Sequence, residues 1–144
     1  MVEPVTWRIR RPIHPFFASL GGSLLIAALF TDYMYSSNSL IQWSNFSTWL
    51  ILGGLLFALI AAIFLLIDVF VLGAGPIRWI DFGLLGIAAV LSIANELVHT
   101  RDAWTTVVPT GITLSVVVTI LLIVAGVRGW TVAGVPVLER GEKP

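Results

Sequence analysis

Four long apolar runs, separated by short polar stretches, set the pattern of this chain. They cover Phe16–Tyr33, Thr48–Leu72, Trp79–Val98 and Gly111–Trp130. Each run approaches the ~20 residues that an α-helix needs to cross the ~30 Å hydrocarbon core of a bilayer. We therefore predict an all-α fold with a single domain over residues 1–144, an integral membrane bundle of four transmembrane helices.

The composition indicates that lipid, rather than water, surrounds much of the chain. Of its 144 residues, 58% are hydrophobic and 11% are charged, and the mean hydropathy is +0.98. A soluble domain contains ~25% charged residues. The formal net charge is zero, so nucleic-acid binding is not expected. The absence of cysteine excludes disulfides, thiolate zinc sites and cysteine-bound iron–sulfur clusters.

Basic residues are distributed unequally between the two sides of the predicted bundle. With four spans, seven of the eight Lys and Arg residues lie on one side, and Arg101 lies on the other. Because basic residues concentrate in the cytoplasm, the sequence predicts that both termini are cytoplasmic. In a bacterium the membrane would be the cytoplasmic (inner) one. The outer connection Met34–Ser47 is expected to be a solvated loop, and aromatic residues at the run ends, such as Trp130, are expected at the headgroup level.

Small residues recur at four-residue spacing in three of the runs. The stripes are Ala18 and Gly22, then Gly54, Ala58 and Ala62, then Gly111, Ser115 and Thr119. Small side chains let helix backbones approach closely in lipid. We expect these stripes to pack the bundle, with contact to another chain as the alternative. Four helices barely enclose a pore, so a transport path within one subunit is not expected.

Polar residues within or beside the runs fall into two layers, one near each membrane surface. The inner layer contains His14, Asp68, Arg78, Asp81 and Arg128, and the outer layer contains Asp32, Asn95, Glu96, His99 and Arg101. Ionisable groups at membrane depth are candidate functional sites. The middle of the membrane is nearly free of charge, which disfavours a proton or ion relay.

Asp68 lies inside the cytoplasmic end of the second run. Burial of a carboxylate there is costly unless it has a partner. One interpretation is a ligand or proton site. The favoured interpretation is an ion pair with one of three arginines that locks the inner end of the bundle, namely Arg128, Arg78 or Arg11.

The outer layer permits similar structural pairs. Asp32 and Glu96 are both placed to pair with Arg101 at the outer surface. Asn95 is expected to bridge helices through hydrogen bonds of its amide. The structural interpretation is favoured for these residues also.

Two histidines raise the question of a haem or metal site. His14 precedes the first run and His99 follows the third, so the predicted spans place them at opposite surfaces. They cannot share one haem iron within a subunit, and zinc fails for the same reason. No metal site or cofactor is expected. The alternative is a quinone or b-type haem, with His99, Glu96, Asp32 and His14 as candidate binding residues.

Several short motifs together resemble a known family. They are Pro12-Ile13-His14-Pro15, Asp32, the run holding Trp49, Gly53-Gly54 and Asp68, then Asn95 and Arg101 before Pro109, and finally Gly126 and Gly129-Trp130. From about Pro12 to Val135, the chain resembles bacterial membrane proteins grouped as domain of unknown function 2231.

The resemblance also shows where this chain departs from the family pattern. Family members usually open with His-Pro-x-His-Pro and often carry another histidine in the first helix. Here Arg11-Pro12 replaces the first His-Pro, and Phe16-Phe17-Ala18-Ser19 lacks the further histidine. The resemblance therefore implies that any metal or haem site built on those histidines would be incomplete here.

The expected function is that of a small inner-membrane protein without catalytic activity. It would act as a subunit or scaffold of a larger membrane complex or as a homo-oligomer. The resemblance implies an electron-transfer setting, because similar domains accompany Rieske proteins and quinoprotein sugar dehydrogenases. The alternatives are a redox subunit that binds quinone or haem and an oligomeric small transporter.

Overall fold

The computed structural model describes residues 11–100 and 107–134, and four long helices account for most of them. They are α1 (His14–Asn38), α2 (Ile41–Phe70), α3 (Trp79–His99) and α4 (Ile112–Val127). A kinked turn, Val107–Gly111, in which Val108 is extended, leads into α4. Each helix is long and apolar enough to cross a membrane, if α4 is taken with that turn. The prediction of an all-α membrane bundle of four helices is confirmed.

Helices α1 and α2 extend further than the apolar runs predicted, because the polar residues between the runs are also helical. The serines after Tyr33 are accommodated in the helix since their hydroxyls bond to its own carbonyls; Ser36 Oγ donates to the Tyr33 carbonyl oxygen. The turn is confined to Ser39, at φ +57°, and Leu40. The expected long outer loop over Met34–Ser47 is therefore wrong.

Close backbone contact between α1 and α2 depends on two glycines. A Cβ added to Gly21 would lie 2.8 Å from the Gly54 carbonyl oxygen, and one added to Gly54 would lie 2.6 Å from Leu25. Neither space is available to a larger side chain. Gly54 thus packs the bundle as its stripe predicted, but its partner on α1 is Gly21.

The chain turns back sharply after α4. Gly129 has φ +96° and Trp130 has φ +59°, and the Trp130 amide donates to the Ala125 carbonyl at 3.0 Å. This turn carries the indole onto Gly22, where an added Cβ would lie 2.4 Å from the ring. Trp130 therefore belongs to the interior packing, whereas its position at a run end suggested a headgroup anchor.

A short antiparallel backbone pairing, which we call the clasp, joins the connection between α2 and α3 to the segment after α4. Ile77 and Ala133 form an antiparallel bridge. On either side of it, the Arg78 amide donates to the Val132 carbonyl at 2.7 Å, and the Gly75 amide donates to the Gly134 carbonyl at 3.0 Å. We call this end of the bundle, which holds Arg78, the basic end. The sequence pattern did not predict the clasp.

The outward faces of the helices carry large apolar side chains, whereas the buried positions combine apolar, small and polar residues. Phe70, Trp79 and Val127 are 80%, 72% and 86% exposed, respectively. The buried core contains Leu25, Ala28, Ile51, Ala88, Val118 and Leu122. Lipid is the medium that suits such an outer surface, so the chain is a multi-pass membrane protein.

Candidate functional site

The buried polar side chains form two clusters at opposite ends of the bundle. The Asp32 cluster, at the end remote from the clasp, consists of Asp32, Ser47, Asn95, His99 and Ser115. The His14 cluster, at the basic end, consists of His14, Asp68 and the backbone of Val132. All of these residues are buried.

The Asp32 carboxylate is the point at which all four helices meet. Ser47 of α2 donates its hydroxyl proton to Oδ1, and Ser115 of α4 donates to Oδ2. His99 of α3 lies with Nε2 2.9 Å from Oδ1. Asp32 itself is 0% exposed. A buried carboxylate is tolerated when it has such partners, so one side chain of α1 connects the other three helices.

The ring of His99 is fixed by both of its nitrogen atoms. Nδ1 lies 3.0 Å from the Asn95 carbonyl oxygen, which only accepts, so Nδ1 carries a proton. A second proton must then lie between Nε2 and Asp32 Oδ1 to make that contact a hydrogen bond. The pair is therefore either imidazolium with carboxylate or imidazole with carboxylic acid.

Asn95 extends the cluster but leaves one of its own atoms without a partner. Its Nδ2 donates to Ser115 Oγ at 2.8 Å, which joins α3 to α4. Within the described ranges, Asn95 Oδ1, Glu96 Oε2 and Thr119 Oγ1 are buried and have no hydrogen-bond partner. This end of the bundle thus combines a fully bonded carboxylate with polar atoms that could accept further hydrogen bonds.

At the basic end, Asp68 of α2 caps the first turn of α1. Its Oδ2 accepts from the backbone amides of Ile13 and His14 at 3.0 and 3.1 Å, and it lies 2.7 Å from His14 Nδ1. Amides at a helix N-terminus are unpaired within the helix and favour an anion. The position of a carboxylate inside the second apolar run is explained by this cap.

His14 connects the cap to the segment after α4. Its Nε2 accepts from the Val132 amide at 3.0 Å, so Nε2 carries no proton. Nδ1 must then carry the proton that it donates to Asp68, and the imidazole is neutral. Asp68 Oδ1 has no hydrogen-bond partner among the described residues.

Two arginines share a third carboxylate at the same end. Asp81, in the first turn of α3, accepts from Arg78 Nε at 2.8 Å and from the guanidinium of Arg128, which follows α4. Hydrogen bonding and charge attraction from Asp81 raise the pKa of the Arg128 side chain above its ordinary value. The carboxylate and Arg128 also lie at the helix ends that their charges favour.

The expected partner of Asp68 was therefore wrong. The described contacts of its carboxylate are to Ile13 and His14, not to an arginine, because the unpaired amides of α1 face it. Arg78 and Arg128 bind Asp81 instead.

The structure places the candidate residues of the predicted outer layer in different surroundings. Asp32 and His99 come together in one cluster, and Glu96 is the next residue along from Asn95. Arg101, the expected partner of Asp32 and Glu96, lies outside the described residues, as does the tail from Val135. His14, the remaining cofactor candidate, lies in the other cluster.

Three members of the clusters were not predicted as site residues. Ser47 was assigned to a loop, Ser115 was read only as a small residue in a packing stripe, and the Val132 amide carries no side-chain signal. Serine inside an apolar run was the available signal for Ser115. No sequence pattern marks a backbone amide that meets His14.

The geometry offers little to a metal ion or a haem. Across residues 11–100 and 107–134, no group of three or more His, Asp or Glu side chains is arranged to hold a metal ion. In His14 and His99, both ring nitrogens already have protein partners. Ligation of iron by either ring would require it to give up one of these contacts.

Comparison with known proteins gives the family. The family described as "Predicted membrane protein (DUF2231)" matches residues 10–137. No curated protein and no solved structure shows a significant match. Since the match covers most of the chain and the fold has four candidate spans, this chain belongs to the DUF2231 family of predicted membrane proteins.

Proposed function

We propose that the protein is a non-catalytic subunit or scaffold of a larger complex in the bacterial cytoplasmic membrane. The observation that carries the proposal is that the five buried Asp and His side chains of the described ranges all bind other groups of the same chain. They are His14, Asp32, Asp68, Asp81 and His99. Side chains held in this way stabilise a bundle.

The outer surfaces agree with an interaction role. α2 spans 30 residues, about 45 Å at ~1.5 Å per residue, which exceeds the ~30 Å hydrocarbon core. Its N-terminal end therefore extends toward the outer headgroups, where Ile41, Phe46 and Trp49 are exposed. Aromatic residues are enriched where proteins bind each other. The electron-transfer setting comes from the family resemblance and is part of the proposal.

Purification from the native membrane in mild detergent tests the proposal. We expect a chain without visible absorbance that arrives with a larger membrane complex, identified by mass spectrometry. Trp49→Ala should weaken this association, whereas Leu59→Ala, at another exposed position further along α2, should not. A turnover activity of the isolated chain, or its recovery alone under all mild conditions, would contradict the proposal.

A second candidate function is a redox subunit that binds quinone beside the Asp32 cluster. The specific observation is that two buried acceptors without partners, Asn95 Oδ1 and Glu96 Oε2, lie next to His99 and can accept hydrogen bonds from the hydroxyls of the reduced form, a quinol. Quinone needs only one or two hydrogen bonds, whereas haem needs a free imidazole. Organic extraction of the purified chain tests this candidate. Quinone present in the wild type and lost in both His99→Gln and Glu96→Gln would favour it over the scaffold.

A further inference from the structure

An apolar cleft of about 170 Å³ lies between α2 and α3 near the basic end. Ala58 and Ala62 form one wall and Gly86 lies in the other, while Leu25 of α1 and Leu122 of α4 close the back. Ala62 and Gly86 are both exposed. The cleft therefore opens sideways, between two membrane-spanning helices, onto the surface that faces lipid.

The lining identifies the chemistry that the cleft can accept. Its residues are Ala, Gly, Leu, Phe and Val, apart from His14, whose two ring nitrogens bind Asp68 and Val132. A quinone ring or another polar head would find no free hydrogen-bond partner there. An apolar cavity of similar size, about 150 Å³, stays dry and takes hydrocarbon in a soluble protein.

The dimensions favour an acyl chain over a helix from a second copy. A helix with its side chains is about 10–12 Å across, which is too wide to enter a recess of this volume. Gly86 also has open space around it, since an added Cβ would meet no atom within 4 Å. A single hydrocarbon chain from the surrounding bilayer fits between the two walls.

The charged side chains at the basic end favour lipids with anionic headgroups. Three arginines, Arg11, Arg78 and Arg128, are exposed or half-exposed at the basic end, whereas the carboxylates Asp68 and Asp81 are 1% and 2% exposed. Although Arg78 and Arg128 share Asp81, the described charges at this end are net positive, and the exposed ones belong to the arginines. A basic residue near the membrane surface attracts anionic lipid by about 1 kcal/mol.

We propose that the cleft between α2 and α3 binds one acyl chain of an anionic phospholipid, with its phosphate beside the arginines of the basic end. The lipid fills the recess that the four helices leave open. It would hold α2 and α3 together at the end where the walls are lined by small residues. Lipid composition would then affect the stability of this face of the bundle.

The test uses two substitutions of the same kind on one helix. Gly86→Leu fills the cleft. Gly83→Leu is the control: Gly83 is also on α3 and an added Cβ there also meets no atom within 4 Å, but Gly83 does not line the cleft. Each full-length protein is reconstituted in nanodiscs of equal phosphatidylglycerol and phosphatidylcholine and then transferred to detergent. Native mass spectrometry counts the phospholipids that stay bound.

We expect the wild type and Gly83→Leu to retain one phosphatidylglycerol, and Gly86→Leu to retain at least tenfold less. Arg11→Gln should lower the preference for phosphatidylglycerol over phosphatidylcholine roughly fivefold. Equal retention by Gly86→Leu and the wild type would overturn the proposal. The proposal would also be overturned if the wild type retained no phospholipid or retained quinone instead. A wild-type dimer that is dissociated by Gly86→Leu but not by Gly83→Leu would overturn it as well.

Discussion

The Nε2 atom of His99 lies 2.9 Å from Oδ1 of Asp32, and neither side chain is exposed to solvent. The two residues are 67 positions apart in the chain. Their contact connects α1 and α3 at the end of the bundle remote from the clasp, while the serines around Asp32 add α2 and α4. The polar layer that the sequence shows near one surface is therefore a junction of the whole bundle.

Removal of the Ser115 hydroxyl should weaken the bundle by a modest amount. Ser115→Ala deprives Asp32 of a donor and Asn95 of its acceptor. Interhelical hydrogen bonds in membranes contribute about 0.6 kcal/mol on average and up to about 1.7 kcal/mol. Because two bonds are lost, we expect a decrease near the upper value in the free energy of unfolding, measured by SDS titration.

Thr113→Ala is the matched control for that variant. Thr113 is exposed on the same helix, and among the described residues its hydroxyl donates to the Pro109 carbonyl oxygen, at 2.7 Å. Its removal should leave the free energy of unfolding within experimental error. Equal effects of the two substitutions would show that the Ser115 bonds do not stabilise the bundle.

Replacement of His14 should release the segment after α4. His14→Leu leaves Asp68 without its side-chain partner and the Val132 amide without an acceptor. A buried hydrogen-bonding group left without its partner costs about 1–3 kcal/mol. We expect a drop of that order in the free energy of unfolding, together with faster hydrogen exchange at the Val132 amide.

The double variant His14→Leu/Asp68→Leu tests the cap separately from the side-chain pair. It also takes the acceptor from the backbone amides of residues 13 and 14, so its stability should fall below that of His14→Leu alone. Exchange at Val132 should stay fast, because its acceptor is still missing. Unchanged Val132 exchange in both variants is the result that this account does not allow.

Gly22 should not tolerate even a methyl group. Its added Cβ would lie 2.4 Å from the Trp130 ring, which is also held against Gly126. Overpacking of this kind costs about 1–3 kcal/mol. Gly22→Ala should lower the thermal midpoint, whereas Gly83→Ala, in open space, should not. Gly22→Ala in a Trp130→Leu background should cost much less if the ring is the obstacle.

The orientation in the membrane can be tested with single cysteines, because the chain has none. Ser37 and Val71 are exposed near opposite ends of the bundle. With cytoplasmic termini, Ser37→Cys should react with a membrane-impermeant maleimide in intact cells, and Val71→Cys should react only after permeabilisation. The reverse pattern would contradict the orientation that the basic residues predict.

The four spans were predictable because lipid imposes a simple rule of length and hydropathy. The ends of α1 and α2 were harder to predict, because serines such as Ser36 stay helical when their hydroxyls bond to carbonyl oxygens of the same helix. The clasp at Ile77 and Ala133 joins segments 56 positions apart through backbone atoms alone. No pattern of side chains specifies such a pairing.

The polar residues of the candidate site were also visible in the sequence, but their partners were not. Asp68 was matched to arginines on charge, yet the unpaired amides at the start of α1 provide its cap. Ser47 and Ser115 reach Asp32 only because each helix turns the face that carries them toward α1. That depends on the rotation of each helix about its own axis. Rotation is set by tertiary packing, which one sequence does not reveal.

The Asp32 cluster holds the helices together, and a double-mutant cycle on Asp32 and His99 is the sharpest test of that role. Asp32→Asn, His99→Gln and the double variant are compared with the wild type by SDS unfolding. We predict that each single change is destabilising and that the double variant loses less than their sum, with a coupling of about 0.5–3 kcal/mol. Strict additivity, or stability unchanged by either substitution, would contradict the claim.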